Sequence, residues 1–311
     1  MAAPQPTQYI GRFAPSPTGP LHFGSLLAAI ASYLQAKSRS GWWLLRVEDI
    51  DPPRQQEGAI DEILTALERY GFEWDGPVTY QRDNAARHHQ VIAELQAAGL
   101  AYPCSCSRRD LATAKQGPLG AIYPGTCRNG CQGDEFAVRV RTNDAPIEFV
   151  DVLQGTQCQR LESESGDFVI RRRDGLIAYH LAVVIDDFDQ GISEIIRGID
   201  LLDSTPRQIH LQRLLDYRTP AYLHIPVAEN AEGQKLSKLT GAPAIPLENI
   251  NRTLVTALEA LGQQPPPELA MSSLDDIWVW SIKHWQPTVL ADKAAILAAE
   301  DALASSENGL S

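Results

Sequence analysis

The chain contains no run of about 18 uncharged apolar residues, so nothing in it reads as a membrane-spanning helix. Its opening stretch, MAAPQPTQYIGRF, has no basic segment leading into an apolar run. That sets aside a secretory signal and makes a cytoplasmic protein the expectation. There is no internal repeat and no block of like charges, which argues against solenoids and charged tails. Only 21% of residues are charged, and the 22 Gly and 21 Pro are spread rather than massed, which excludes disordered, collagenous and coiled-coil classes. Positive charge is in short supply: 27 Lys and Arg stand against 39 Asp and Glu, for a net charge of −12. Long-range attraction to nucleic acid is therefore missing, and any polynucleotide contact has to use a local basic face and be salt-sensitive. Cysteine is scarce too. There are five, an odd number, with Cys104, Cys106, Cys127 and Cys131 inside 28 residues, so a metal site is expected before a disulfide framework.

What is present is ample for a core: 311 residues, 44% of them apolar, enough for two closely joined domains or one large domain with insertions. Tyr9 to Ala14 reads as a strand, Ser25 to Lys37 as a helix apolar nearly all round, Trp42 to Val47 as a strand and Glu57 to Tyr70 as an amphipathic helix. Such β-α-β-α alternation predicts a parallel sheet whose ligands lie at the carboxyl ends of its strands. Asn84 to Gly99 reads as a helix. A turn-rich segment with the cysteines follows, then strands at Phe136 to Arg141 and Ile147 to Leu153. Phe168 to Arg171, Ala178 to Ile185 and Glu194 to Arg197 read as strands of the resuming sheet, and Thr205 to Leu215 as a helix. The remainder carries helical periods at Leu254 to Leu261 and Ile277 to His284. The expected divisions are 1–101, 102–165 as an inserted α+β unit, 166–240, and a short helical 241–311.

Two loops carry chemistry. Arg12 to Ser25 (RFAPSPTGPLHFGS) joins a strand to a helix start, where free N–H groups and the helix dipole favour anions. Gly24 would let a purine or phosphate approach the backbone, His22 could donate to phosphate oxygens, and Arg12 offers a planar fork for a carboxylate. Lys235-Leu236-Ser237-Lys238, between Gly233 and Gly241, could close over a triphosphate. Either loop alone has an ordinary reading as a polar surface turn; together they do not.

With both in place, the chain resembles the class I aminoacyl-tRNA synthetases. Ala14–Ser25 is similar to their HIGH signature, with His22-Phe23-Gly24-Ser25 at its core and Ser25 where a second His is usual. Lys235–Lys238 is similar to their KMSKS signature. GRFAPSPTGPLHFGSL and LLRVEDIDPPR resemble the glutamyl branch. Only 73 residues follow Lys238, too few for the helical anticodon-reading region of ordinary members. The chain therefore resembles the truncated glutamyl-Q paralogues of that branch.

That resemblance implies an α/β fold: a Rossmann-type parallel-sheet catalytic domain with an inserted zinc-bearing α+β unit and a short helical C-terminal region. It implies a ligase that activates L-glutamate with ATP, carrying Mg²⁺ on its phosphates, without needing tRNA. Glutamate then passes to the queuosine base at the wobble position of tRNA(Asp). It implies a glutamate site of Arg12, Phe13, Ala14, Pro15, Ser16, Glu48, Tyr179 and Arg197, with Glu48 holding the amino group. ATP would meet His22, Gly24, Ser25 and Lys238, and His22, Gly24, Lys235 and Lys238 would be catalytic. One structural Zn²⁺ would be held by Cys104, Cys106, Tyr123 and Cys127, although by thiolate chemistry alone Cys131 is the more obvious fourth ligand.

Several alternatives stay open at this stage. Arg197 could pair with Asp200 or Asp203 instead of substrate. Arg171-Arg172-Arg173 reads as a solvated turn, Cys158 as a buried small residue, and Trp42, Trp43, Trp74 and Tyr80 as core and interface filling. Competing functions are a shortened glutamyl-tRNA synthetase charging a tRNA 3′ end, a small-molecule nucleotidyltransferase without RNA, and a catalytically silent zinc-bearing RNA-binding module.

Overall fold

The computed structural model describes residues 8–107, 109–118, 120–132, 135–230, 233–236 and 243–297. The first half alternates as its hydrophobic periods predict: β1 (Ile10–Phe13), α1 (Phe23–Ser38), β2 (Trp42–Val47), α2 (Ala59–Arg69), β3 (Thr79–Tyr80) and α3 (Ala85–Ala97). The middle holds β4 (Ala101–Cys104), β5 (Gln116–Gly117), β6 (Gly120–Ala121), β7 (Ala137–Val140), β8 (Ile147–Asp151), β9 (Gly155–Gln159) and α4 (Leu161–Glu164). Then come β10 (Phe168–Arg171), α5 (Tyr179–Asp189), β11 (Glu194–Gly198), α6 (Thr205–Leu214), β12 (Ala221–Ile225) and β13 (Val227–Glu229). The described chain finishes with α7 (Ile250–Ala260), α8 (Leu274–His284) and β14 (Ala295–Leu297). No helix among the described residues is long and apolar enough to cross a membrane.

Strands β1, β2 and β3 pair in parallel, and so do β11, β12 and β8. The two groups meet where β1 lies beside β11: Ser193 N–H donates to the Ile10 carbonyl at 2.8 Å, and Ile10 N–H to Ser193 Oγ at 2.9 Å. Side chains alternate across this sheet, so Ile195 and Tyr222 enter one core while Ile196, Leu223 and Ile225 enter the other. A sheet covered on both faces needs apolar runs rather than strict alternation, which is how these strands read. From β1 the chain steps one way to β2, whereas β11 lies on its other side. That reversal opens a crevice beyond the carboxyl ends of β1 and β11.

Three expectations are corrected. Ala178 to Ile185 is not a strand but the start of α5, in which Leu181 to Asp187 are all buried. A helix buried on every side loses its 3.6-residue signature, and the β-branched Val183, Val184 and Ile185 then mimic a strand. Phe168–Arg171 does not resume the central sheet: β10 pairs antiparallel with β7, which pairs with β4, while β8 and β9 attach to the central sheet through β12. The division expected between 165 and 166 thus separates strands that share a sheet. Cys158 is exposed, because β9 is an edge strand and its outward positions face solvent.

The C-terminal helices complete the core instead of standing apart. Trp278 of α8 packs on Tyr33 and Phe72, with ring centroids at 4.8 and 4.9 Å, and Phe72 stacks on Trp43 at 5.4 Å. Its indole N–H donates to the Tyr70 carbonyl at 3.0 Å, and the Trp285 indole donates to buried Gln35 at 2.7 Å. Trp43 is fully buried, as core filling requires, whereas Trp42 is half exposed.

Candidate active site

The crevice beyond β1 and β11 holds a cavity of about 600 Å³. Its walls bring together Arg12 and Phe13 from the end of β1, Ala14, Pro15, Ser16 and His22 from the loop after it, Gly24 and Ser25 from the first turn of α1, Glu48 from just past β2, Tyr179 from the start of α5, Arg197 from β11 and Lys235. Residues 223 positions apart in sequence therefore face one space. Lys238 and Ser237 lie outside the described residues.

His22 is the N-cap of the 16-residue α1, which starts at Phe23, two residues before the expected Ser25. Its Nδ1 accepts from Ser25 N–H at 3.3 Å, and its Nε2 lies 3.0 Å from Ser25 Oγ. The helix's remaining free N–H groups open on the cavity end, a favourable place for phosphate. Gly24 sits in a tight spot that the sequence did not disclose. A Cβ there would sit 3.2 Å from the Leu236 carbonyl oxygen and 3.2 Å from the His22 ring. The segment around the lysine loop is laced to this end of α1: Ile245 N–H donates to the Leu21 carbonyl at 2.9 Å, and His22 bridges Ala244. Lys235 Nζ donates to Asp200 Oδ2 at 2.7 Å on the same rim.

Below the loop is a buried charge cluster. Asp187 of α5 receives Arg12 Nε at 3.1 Å and Arg46 Nη2 at 2.7 Å, and Arg46 also lies 3.5 Å from Glu48. The Arg12 fork, expected to face a free carboxylate, is thus partly engaged by the protein's own acid. Burial would raise the Asp187 carboxyl, but Arg12 and Arg46 overrule it and hold it below the ordinary carboxylate range. For Glu48 the balance goes the other way: burial dominates the pull of Arg46 and Arg12, and its carboxyl titrates above the usual value. A cation arriving in the cavity would restore its charge.

Arg197 is 4% exposed and makes no ion pair with a carboxylate among the described residues. Neither Asp200 nor Asp203 takes it; Asp200 is engaged by Lys235. Its Nε donates to His224 Nε2 at 3.0 Å, Nη1 to the Tyr179 hydroxyl at 3.3 Å, and Nη2 to Thr205 Oγ1 at 2.8 Å. A buried guanidinium surrounded by neutral acceptors on a cavity wall is well placed to meet an incoming anion.

The cysteines form a separate centre. The sulfur atoms of Cys104, Cys106 and Cys127 lie within 4.8 Å of one another. The Tyr123 hydroxyl joins them, 3.4 Å from Cys104 Sγ and 3.7 Å from Cys106 Sγ, and Cys106 Sγ is 3.6 Å from Cys127 Sγ. A tetrahedron with zinc–sulfur bonds of about 2.3 Å has edges of roughly 3.8 Å, so this spacing fits zinc. Cys131 lies outside this group of three thiols, donating to the Pro103 carbonyl at 3.2 Å. Burial raises the Cys127 thiol, but hydrogen bonds from Tyr123 and the Ser105 backbone outweigh it and bring it down to about 6, so it supplies a thiolate readily.

Sequence reasoning missed Arg46, Asp151, Asp187, Thr205 and His224. A signal existed for two of them: Asp187 inside the apolar LAVVIDDF and Arg46 inside WWLLRV are charges that apolar elements would bury, and each then needs a partner. The Arg171-Arg172-Arg173 turn is as expected, with Arg172 and Arg173 exposed and Arg172 paired to Asp51 and Asp174.

A parallel sheet with a helix N-terminus and Lys235 gathered at its switch point is the architecture of a class I tRNA synthetase catalytic unit. Residues 9–251 match the family model described as tRNA synthetases class I (E and Q), catalytic domain. Among curated proteins, the chain is 50% identical over 291 residues to Glutamyl-Q tRNA(Asp) synthetase of Pseudomonas paraeruginosa, covering 93% of this chain and 98% of that one. It is 49% identical over 294 residues to the protein of the same name from Dechloromonas aromatica, covering 93% and 98%. A crystal structure of a glutamate tRNA ligase from Elizabethkingia meningosepticum, in complex with its amino acid, shares the fold with a TM-score of 0.78 at 22% identity, covering 95% of this chain and 68% of that one. The chain belongs to the glutamyl-Q tRNA(Asp) synthetase family, and it is an enzyme of the ligase type.

Proposed function

We propose that the protein activates L-glutamate with ATP, without tRNA, and transfers it to the queuosine base at the wobble position of tRNA(Asp). The observation that carries the glutamate reading is Arg197: a buried guanidinium without a carboxylate partner among the described residues, on the wall of a cavity that also holds Glu48. Arg197 and Tyr179 would take one carboxylate of glutamate, Glu48 its ammonium, and the Arg12 to Ser16 loop its remaining surface. The other carboxylate oxygen attacks the α-phosphorus of ATP and pyrophosphate leaves. His22, Gly24 and Ser25 would cradle the nucleotide, and Lys235 with Lys238 would follow charge onto the departing phosphates, whose Mg²⁺ arrives with ATP. A hydroxyl of the queuosine cyclopentene-diol then attacks the acyl carbon and AMP leaves. The names of the relatives support the RNA acceptor.

The test is incubation with ATP, labelled glutamate and tRNA(Asp) with or without queuosine. Label should appear only on the modified RNA, in an ester unaffected by blocking the 3′ terminus. Label on a tRNA(Glu) 3′ end would instead favour a shortened glutamyl-tRNA synthetase. Pyrophosphate exchange dependent on an acid other than glutamate would point to a small-molecule ligase.

Cys104, Cys106, Tyr123 and Cys127 would hold one structural zinc, which when bound ties β4 to the turn after β6. Elemental analysis of the purified protein should find about one zinc per chain. After a chelator challenge, Tyr123→Phe should have lost zinc faster than the parent and Cys131→Ala at the parent's rate. The reverse order would give the fourth position to Cys131.

A further inference from the structure

Behind Arg197 runs a buried chain of hydrogen bonds that reaches no substrate. Asp151, the last residue of β8, and His224 of β12 are 1% and 0% exposed. Asp151 Oδ2 meets His224 Nδ1 at 2.6 Å, and His224 Nε2 accepts from Arg197 Nε at 3.0 Å. Since Nε2 accepts, the ring proton must lie on Nδ1, pointing at the carboxylate. Burial lowers the tendency of His224 to protonate, more than Asp151 restores it, so the ring stays neutral.

The other carboxylate oxygen is equally committed. Asp151 Oδ1 accepts three backbone N–H groups, from Leu153 at 3.0 Å, Gln154 at 2.9 Å and His224 at 3.2 Å. The carboxylate therefore has one acceptor fixed by backbone and one fixed on the imidazole. We propose that Asp151 and His224 are positioning residues for Arg197, fixing the Nδ1–H tautomer so that Nε2 presents a lone pair that aims the guanidinium into the cavity, and that they thereby set the affinity for the amino acid. This rests on the reading of Arg197 as a glutamate ligand.

The geometry makes Asp151→Asn a sharp test. Three N–H groups at the Oδ1 position demand an oxygen there, so the amide nitrogen of Asn must face His224 Nδ1. Nδ1 then has to accept, and the ring proton moves to Nε2, where it confronts the Arg197 Nε–H: two donors now meet at a contact that needs an acceptor. In glutamate-dependent exchange of pyrophosphate into ATP, the variant should raise KM for glutamate roughly tenfold or more, the scale of one misdirected charged hydrogen bond, with KM for ATP changed less than about twofold. Nitrogen-15 NMR of the labelled imidazole should report the Nε2–H form in place of Nδ1–H.

His224→Gln supplies the second measurement. Its amide oxygen can reach the Nε2 position, so it should retain more glutamate affinity than His224→Ala. Asp151→Asn should add little on the Gln background, since the tautomer no longer exists to be flipped. A purely structural role would lower thermal stability in all variants without separating the two KM values. If Asp151→Asn binds glutamate as the parent does, or if His224 keeps its Nδ1 proton, the positioning role is overturned while the pocket assignment stands. If the parent itself shows no glutamate-dependent exchange, the pocket assignment fails and the positioning role falls with it.

Discussion

Arg197→Ala is expected to reduce kcat/KM for glutamate in pyrophosphate exchange by a factor on the order of 100 or more, while leaving ATP binding close to the parent's. Four of the five Arg197 N–H groups are already donated within the protein, so a carboxylate gains one charge-assisted contact, worth about 1.5–3 kcal/mol, and roughly 1.4 kcal/mol corresponds to a tenfold change. Truncation also strips His224 Nε2 and Thr205 Oγ1 of their donor in a buried setting, so the penalty should exceed the contact itself. Arg197→Lys should not rescue it, because one ammonium cannot satisfy three acceptors arranged for a planar fork. Exchange kinetics at varied glutamate and fixed saturating ATP read the effect. A change smaller than about threefold would remove Arg197 from the glutamate site.

The largest loss of stability should follow Asp187→Ala. One carboxylate, 4% exposed, serves Arg12 and Arg46 together, and both guanidinium groups are as deeply buried. Removing one member of a buried pair costs roughly 3–5 kcal/mol, and here two cations lose a partner. Glu48 is the nearest remaining acid, 3.5 Å from Arg46, so it would be drawn into their field, and glutamate activation should fall along with stability. Urea unfolding followed by tryptophan fluorescence should show a lower midpoint with an unchanged slope. The pH dependence has a definite sign. Since the folded-state carboxyl titrates below its unfolded value of about 3.9, its stabilising contribution is complete above that value and is lost as pH falls through the folded one. The parent's advantage over the variant should therefore be flat near neutral pH and shrink only in strong acid. A midpoint equal to the parent's would mean that water, and not Asp187, neutralises the two arginines.

Much of the molecule could be read in advance where short-range pattern carries the information. β2 was legible to the residue because WWLLRV is bounded by Gly41 and by the acids Glu48 and Asp49. α2 was legible because Ile60, Ile63, Leu64 and Leu67 repeat on one face, and Ile63 and Leu67 are buried there. α5 was not legible: it is buried all round, and periodicity vanishes when every face is inside. The walls of the cavity were anticipated from two signature loops, whose meaning resides in consecutive residues. Their partners were hidden, since Asp187 stands 175 positions from Arg12 and 141 from Arg46.

By itself the sequence determined the alternation of strand and helix, the two loops that carry the signature residues, and the gathering of cysteines between positions 104 and 131, because each depends on residue type at fixed local spacing. Only the tertiary structure decided that Arg197 meets no carboxylate among the described residues while Arg12 is shared with Asp187, that Cys131 falls outside the group of three thiols, and that His224 stands between Asp151 and Arg197. Those outcomes depend on which charges meet in a dry interior, and distance through space is not written in distance along the chain.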